Sequence, residues 1–256
     1  MNILEAQLTN AGVPVESQTL ERLHAFYQLI EAGNKRANLT SISGWESVRD
    51  ELFVRSLPLA PLLNGAQPGD RLIDIGTGAG VPGLVVKIIY PHLNVMLIDA
   101  TRKKIDFLTD AIDALNLKEV TAIHARAEDL AQQLEHRESY DFAVARAVGS
   151  LSELAELLLP FVALGGTAAA LKSTGVEAEA EQAGFAARQM GGEPAVLSLV
   201  ERPGADRPGD GPADTLVTWR KSGPTPDGYP RRSGIPRKTP LAAPSPKKTG
   251  AEASAE

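Results

Sequence analysis

The apolar positions change period near residue 70. Before it they recur at helical spacing. Leu20, Leu23, Tyr27 and Ile30 follow Ser17, and Trp45, Val48 and Leu52 follow Ser43, with Glu46 three residues after that serine. This spacing predicts amphipathic helices, with Ser17 as an N-cap and Ser43–Glu46 as a capping box. Gly33-Asn34 is expected to weaken the first helix. Beyond residue 70 short apolar runs take over, at 71–75, 95–98, 120–123, 141–145, 166–171, 194–200 and 215–219, each reading as a strand. Helical stretches fit between them at 82–90, 102–115, 126–135, 150–159 and 176–190. Strands alternating with helices predict an α/β fold, a mainly parallel seven-stranded sheet covered on both faces. Only the loop residues Arg202-Pro203-Gly204 and Arg207–Pro212 separate the last two strands, so these are expected to pair as an antiparallel hairpin. From about Ser222 the chain is rich in Pro, Gly, Ser, Thr and basic residues, too polar for a core and expected to be mobile when free. The expected division is an N-terminal helical cap at 1–66, a sheet domain at 67–221 and a basic, Pro-rich, flexible tail at 222–256.

The first strand runs into Asp74-Ile75-Gly76-Thr77-Gly78-Ala79-Gly80-Val81-Pro82-Gly83. Glycines at alternate positions allow a tight turn and let the backbone press against a ligand. Pro82 and the apolar run after it suit the start of a helix. Strand, glycine turn and helix form a nucleotide-type site. A dinucleotide fingerprint reads G-x-G-x-x-G. Here the spacing is G-x-G-x-G, with Asp74 two residues before the first glycine. That carboxylate repels a pyrophosphate, which disfavours a nicotinamide dehydrogenase. It suits a ligand with an amino group and a sulfonium, and S-adenosyl-L-methionine carries both. Asp99 ends the next apolar run, where a carboxylate can accept both ribose hydroxyls. The reading is a class I, Rossmann-like methyltransferase; the plain alternative is a turn that only packs strand on helix.

Composition narrows the chemistry. At 43% hydrophobic the 256 residues can bury a core. The absence of cysteine removes disulfides, thiolate zinc sites and thiol nucleophiles. His24, His92, His124 and His136 show no ligand spacing, so no metal is expected. The start lacks a basic n-region and no apolar run approaches the roughly 20 residues that span a bilayer, so neither a signal peptide nor a membrane partner is expected. The net charge of −6 hides an asymmetry: eight Lys and Arg face three acids from Arg220 onward, a net +5, leaving −11 for the rest. A basic tail on an acidic body can supply phosphate contacts, with Arg231, Arg232, Arg237 and Lys238 as candidates.

Other strand ends add chemistry. Asp99-Ala100-Thr101 is followed by Arg102-Lys103-Lys104, the third strand leads into Arg126-Ala127-Glu128-Asp129, and the fourth reads Asp141-Phe142-Ala143-Val144-Ala145-Arg146. An amide and an acid in the third segment can meet an adenine edge. Arg146, after a strand of small and apolar residues, should sit where donor and acceptor meet; Lys172 is the weaker candidate. The turn after the fourth strand lacks the Asp/Asn-Pro-Pro-aromatic pattern of exocyclic amine methylation, and cytosine-C5 chemistry needs an absent cysteine. A ring nitrogen with its own lone pair, such as N7 of guanine, needs only proximity and in-line alignment.

Together, Asp74 to Gly83, Asp99-Ala-Thr-Arg-Lys-Lys, Arg126-Ala-Glu and Ala145-Arg-Ala-Val resemble the RsmG (GidB) family of bacterial small-subunit rRNA guanine-N7 methyltransferases. Asn38-Leu39-Thr40 and Tyr229 to Leu241 match further signatures, so the resemblance covers roughly residues 20 to 241. It implies a donor site in which Gly76 and Val81 line the methionine and sulfonium end, within the turn that Asp74 and Gly78 shape. Asp99, Ala100 and Thr101 would serve the ribose, Ala127 and Glu128 the adenine, and Arg146 would lie beside the reacting centre. The implied acceptor is a guanine in the decoding-region hairpin of 16S rRNA, within the small ribosomal subunit or an assembly intermediate, for a cytoplasmic monomer. Two departures stand out. Members often read His-x-x-Asp-Ser-Leu where this chain has Leu52-Phe53-Val54-Arg55-Ser56-Leu57, and a bulky Phe or Leu where Val81 stands. Rival readings are a class I methyltransferase for another RNA, a protein or a small molecule, and a non-enzymatic ribosome-assembly module.

Overall fold

The computed structural model describes residues 3–13, 15–146, 149–201 and 213–244. The loop residues 202–212, the pair Ala147-Val148 and the last twelve residues, 245–256, lie outside the described part. The cap begins with α1 (Ile3–Asn10) and α2 (Ser17–Ala37). α2 buries Thr19, Leu23, Phe26 and Ile30, one stripe at helical spacing. It starts at Ser17 with no side-chain cap. It also runs unbroken through Gly33. A Cβ there would lie 2.7 Å from the Phe107 ring and 2.8 Å from Leu39, so the glycine admits a close neighbour rather than ending the helix. The helix stops at Asn38, whose left-handed φ of 45° turns the chain, while Asn34 Oδ1 accepts from the Thr40 amide at 2.9 Å. This gives the Asn38-Leu39-Thr40 signature a local structural role.

The expected capping box does not form. α3 (Trp45–Val48) follows Gly44 at φ 81°, and the Gly44 amide goes to Glu31 Oε1 instead. A π-helical turn (Arg49–Phe53), a 3-10 segment (Val54–Leu59) and α4 (Ala60–Leu63) complete the cap.

The sheet contains β1 (Arg71–Ile75), β2 (Asn94–Asp99), β3 (Val120–His124), β4 (Tyr140–Arg146), β5 (Val162–Ser173), β6 (Val196–Glu201) and β7 (Ala213–Arg220), in the order β3-β2-β1-β4-β5-β7-β6. The first five are parallel, and β7 pairs antiparallel with both β5 and β6, as expected for the hairpin. Between them run α5 (Gly83–Ile89), α6 (Arg102–Ala114), α7 (Ala127–Leu130), α8 (Leu151–Leu158) and α9 (Glu177–Gln189). The helix expected at 126–135 is cut to the four residues of α7. Beyond it the chain turns back, so that the Glu138 and Ser139 amides bond Pro160 O and Phe161 O and Arg137 reaches the C-terminal segment. That segment carries a short helix, α10 (Ile235–Lys238).

Strand alternation divides the core. Leu72, Val95, Leu97 and Val144 face one side, packed with α5, α6 and the cap residues Leu23, Phe26, Ile30 and Phe53. Ile73, Ile75, Ile98, Ala143 and Ala145 face the other, packed with α7, α8 and α9. The cap therefore shares its core with one face of the sheet. The chain order reverses between β1 and β4, and in such sheets ligands sit at the carboxyl ends of the strands beside that point.

Candidate active site

β1 ends beneath the glycine turn. The Gly76 and Thr77 amides donate to Ile98 O at 2.9 and 3.0 Å, tying the turn to β2. Gly76 and Gly78 adopt φ values of 73° and 60°, the left-handed region that glycine enters without steric cost. The Gly78 amide donates to Asp99 Oδ2 at 3.0 Å, and the Thr101 amide to Asp99 Oδ1 at 2.8 Å. Asp99 is thus a fixed carboxylate at the end of β2, with Lys104 Nζ 3.6 Å from it. Asp74 is fully buried. Its Oδ2 accepts from the Gly83 amide at 2.8 Å, while its Oδ1 and the Thr77 hydroxyl are buried with no hydrogen-bond partner among the described residues. Burial pushes the Asp74 carboxyl up to about 6, opposed by the nearby Thr77 hydroxyl, the Gly83 amide and the charge of Arg146.

Beyond the turn lies a cleft of about 150 Å³. Gly76, Asp99, Ala100, Ala127 and Glu128 all line it, so five of the expected donor-site residues meet in one place. Thr101 is at the entrance to α6, next to this group. Asp74 and Gly78 act from beneath and within the turn. Val81 is 5% exposed and packs in the core between sheet and cap, away from the cleft lining.

Arg146 ends β4 and is mostly buried. Its Nη1 donates to Glu51 O at 3.0 Å and Leu52 O at 3.2 Å, both on the π-helical turn. Leu52 O also accepts from Ser56 Oγ at 2.8 Å, so Arg146 and Ser56 share it. Burial lowers its pKa to about 10, which leaves it charged at neutral pH. Lys172 is committed elsewhere, to Gly149 O at 2.8 Å and to Glu179. The rest of the Ala145-Arg-Ala-Val motif, Ala147 and Val148, is outside the described residues.

The segment expected to be mobile is docked from Ser222 to Pro244. Arg137 donates to the carbonyls of Thr225 and Tyr229 at 2.8 Å and of Pro226 at 3.0 Å. Gln132 Nε2 donates to Pro230 O. Arg231 forms a bidentate pair with Glu156, a fully buried carboxylate, at 2.6 to 3.2 Å. Expected as a phosphate contact, the guanidinium here is the peg that fixes this segment to α8. Arg232 and Lys238 are exposed. Arg237, grouped with them on charge and likewise exposed, also lines the cleft. No local pattern in the sequence pointed to Gly234, Glu153 and Leu157, which line the same cleft from the C-terminal segment and α8.

A family model described as GidB, rRNA small subunit methyltransferase G, matches residues 19–203. The chain belongs to the GidB family. It is 40% identical over 234 residues to Ribosomal RNA small subunit methyltransferase G of Lachnoclostridium phytofermentans, covering 91% of this chain and 94% of that protein. The protein of the same name from Dehalococcoides mccartyi is 40% identical over 241 residues, covering 94% of this chain and 100% of its own length. Among solved structures, phosphoethanolamine N-methyltransferase 2 of Haemonchus contortus, with S-adenosylhomocysteine bound, matches with a TM-score of 0.52 at 12% identity, over 77% of this chain and 60% of that one. That likeness shows the fold, which is the class I S-adenosylmethionine-dependent methyltransferase fold.

The first of the two departures, at Leu52 and Arg55, has a structural role. Leu52 is 2% exposed and belongs to the core under the cap. Arg55 holds Asp214 of β7 through Nε at 2.9 Å and Nη2 at 2.8 Å, and Glu51 through Nη1 at 2.9 Å. This cation ties the cap to the sheet. Among the described residues no group of three or more His, Asp and Glu is arranged to hold a metal ion, and no helix is long and apolar enough to cross a membrane.

Proposed function

We propose that this enzyme methylates N7 of one guanine in the decoding-region hairpin of 16S rRNA, acting as a cytoplasmic monomer on the small subunit or an assembly intermediate. S-adenosylmethionine supplies a methyl group already activated on a sulfonium. The observation that carries the donor assignment is Asp74. A buried carboxylate oxygen with no partner, beneath a glycine turn, suits the ammonium of a methionine moiety. Asp99, whose position two amides fix, suits ribose hydroxyls; Ala100 and Thr101 complete that edge. Ala127 and Glu128 suit the adenine, and Gly76 and Gly78 give the backbone room to approach.

The chain's part in the chemistry is alignment. N7 of guanine has a free lone pair and loses no proton on methylation, so no general base is required. Arg146 holds a fixed cation at the end of β4, tethered by the Glu51 and Leu52 carbonyls, and serves to position the acceptor against the donor. Holding two reactants in near-attack geometry can lower a barrier by several kcal/mol. Arg232 and Lys238, exposed on the C-terminal segment, supply phosphate contacts.

The test is methyl transfer from radiolabelled S-adenosylmethionine to 30S particles from cells lacking the endogenous enzyme, followed by mapping of the base. Label at N7 of one guanine is the expected result. Label on naked rRNA only would place the enzyme earlier in assembly. Donor binding with no transfer to either would favour another RNA or a small molecule.

A further inference from the structure

The C-terminal arm is held first by Gly191 and Arg137, and from Arg231 to Lys238 it runs against α7 and α8, whose residues wall the cleft. Arg231 is clamped to Glu156, and Ser233 Oγ donates to Asp129 Oδ1 at 2.9 Å. The Gly234 amide then donates to Glu128 Oε1 at 2.7 Å, fixing the carboxylate assigned to the adenine. Gly234 takes φ 83°, a left-handed turn that swings the chain into α10. α10 brings Arg237 to the cleft, which Ile98, Ala125, Ala127 and Leu157 line with apolar side chains.

We propose that this arm is a wall of the donor cleft and that Arg237 is a donor-binding residue, its guanidinium stacking on the adenine. The inference rests on reading the cleft as the adenosine end of the donor site. The slot between apolar side chains and a planar cation matches a flat aromatic base, which guanidinium groups favour over ammonium groups. The charges point the same way. Asp99, Glu128 and Glu153 line the cleft with Arg126 and Arg237, so an RNA phosphate entering it would face three carboxyl groups against two guanidinium groups. Burial pushes the Glu153 carboxyl up, and the charge of Arg237 is the largest influence opposing that rise. Arg237 therefore has a different task from Arg232 and Lys238, though the three are close in sequence.

The experiment is calorimetric titration of the full-length protein with S-adenosylmethionine, comparing wild type, Arg237→Ala, Arg237→Lys and Asp99→Ala. The salt dependence of rRNA binding is measured on the same proteins. Arg237→Ala is expected to raise the donor Kd about five- to twenty-fold, the range of a partly desolvated cation–π contact. It should raise the donor KM with kcat nearly unchanged, and leave the salt slope alone. Arg237→Lys should recover only part of the affinity. A donor Kd for Arg237→Ala within twofold of wild type overturns the proposal, and a salt slope reduced by about one unit would then make Arg237 a phosphate contact. Asp99→Ala separates the two levels. If it weakens binding and Arg237→Ala does not, the arm inference alone fails; if neither does, the donor-site reading fails with it.

Discussion

Asp74 holds the Gly83 amide with one carboxylate oxygen, at 2.8 Å, and leaves the other buried without a partner among the described residues. Gly83 has to be glycine for this. A Cβ there would come within 2.7 Å of the Asp74 side chain. The turn is thus shaped to keep a carboxylate in a dry place, where burial pushes its pKa up to about 6.

This burial gives donor binding a pH dependence of definite sign. An ammonium is attracted to the ionised form, so donor affinity should tighten as pH rises from 5 to 7, through the value of about 6. Asp74→Asn should bind weakly and with a flat profile over that range, measured by calorimetry. Folding stability moves the other way. A raised carboxyl pKa contributes stability that is complete below 3.8 and lost as pH passes 6, so Asp74→Asn should be more stable than wild type at pH 8, by roughly 2–3 kcal/mol at about 1.4 kcal/mol per unit. A less stable variant at pH 8 would show that the ionised carboxylate is compensated in the fold.

Arg146→Ala is expected to lower kcat by about a hundredfold, on the scale of removing one positioned donor, with a smaller loss in donor affinity. The check is single-turnover transfer beside donor titration. Equal losses in both would make Arg146 a donor ligand alone. The variant also removes the Arg146 bonds to the Glu51 and Leu52 carbonyls, leaving Leu52 O to Ser56 Oγ alone, so faster amide exchange is expected over Arg49–Phe53.

Arg231→Ala should cost roughly 3 kcal/mol in urea unfolding, because it strands the buried Glu156 carboxylate. Its rRNA salt slope should stay at the wild-type value in the folded protein. Arg232→Ala and Lys238→Ala should each leave stability unchanged and lower that slope by about one unit. A reversed pattern would return Arg231 to the RNA surface.

Arg55→Ala removes the bidentate contact to Asp214 and should destabilise the fold by roughly 2–4 kcal/mol. A double-mutant cycle with Asp214→Ala is the check, and additive losses would mean that the two residues act separately.

The sheet was legible because buried parallel strands and their helices leave strong local patterns, and the hairpin because its loop lacks a helical stretch. The cap was legible only in part. Ser17 and Ser43 carry cap chemistry, yet the capping positions fall to Glu16 and Gly44, since packing against the sheet sets where those helices start. Gly33 looked like a breaker, because its real reason, the Phe107 ring, lies on another helix. The same blindness affected the arm. Charge counting placed Arg231, Arg232, Arg237 and Lys238 in one class, whereas Glu156, 75 residues away in the chain, takes the first and the cleft takes the third.

The order of residues was enough to define the sheet, the glycine turn and its flanking acids, because these rest on short-range spacing: strand period, residues that tolerate left-handed backbone, carboxylates at strand ends. It thereby pointed to donor and reaction class. Which charges are used up and which are available was settled by folding alone. An ion pair depends on distance in space and on burial, and neither is written in the order of residues. That is why Arg55 became a tether to Asp214, Arg231 a peg in Glu156, and Arg237 a neighbour of the cleft beyond the glycine turn.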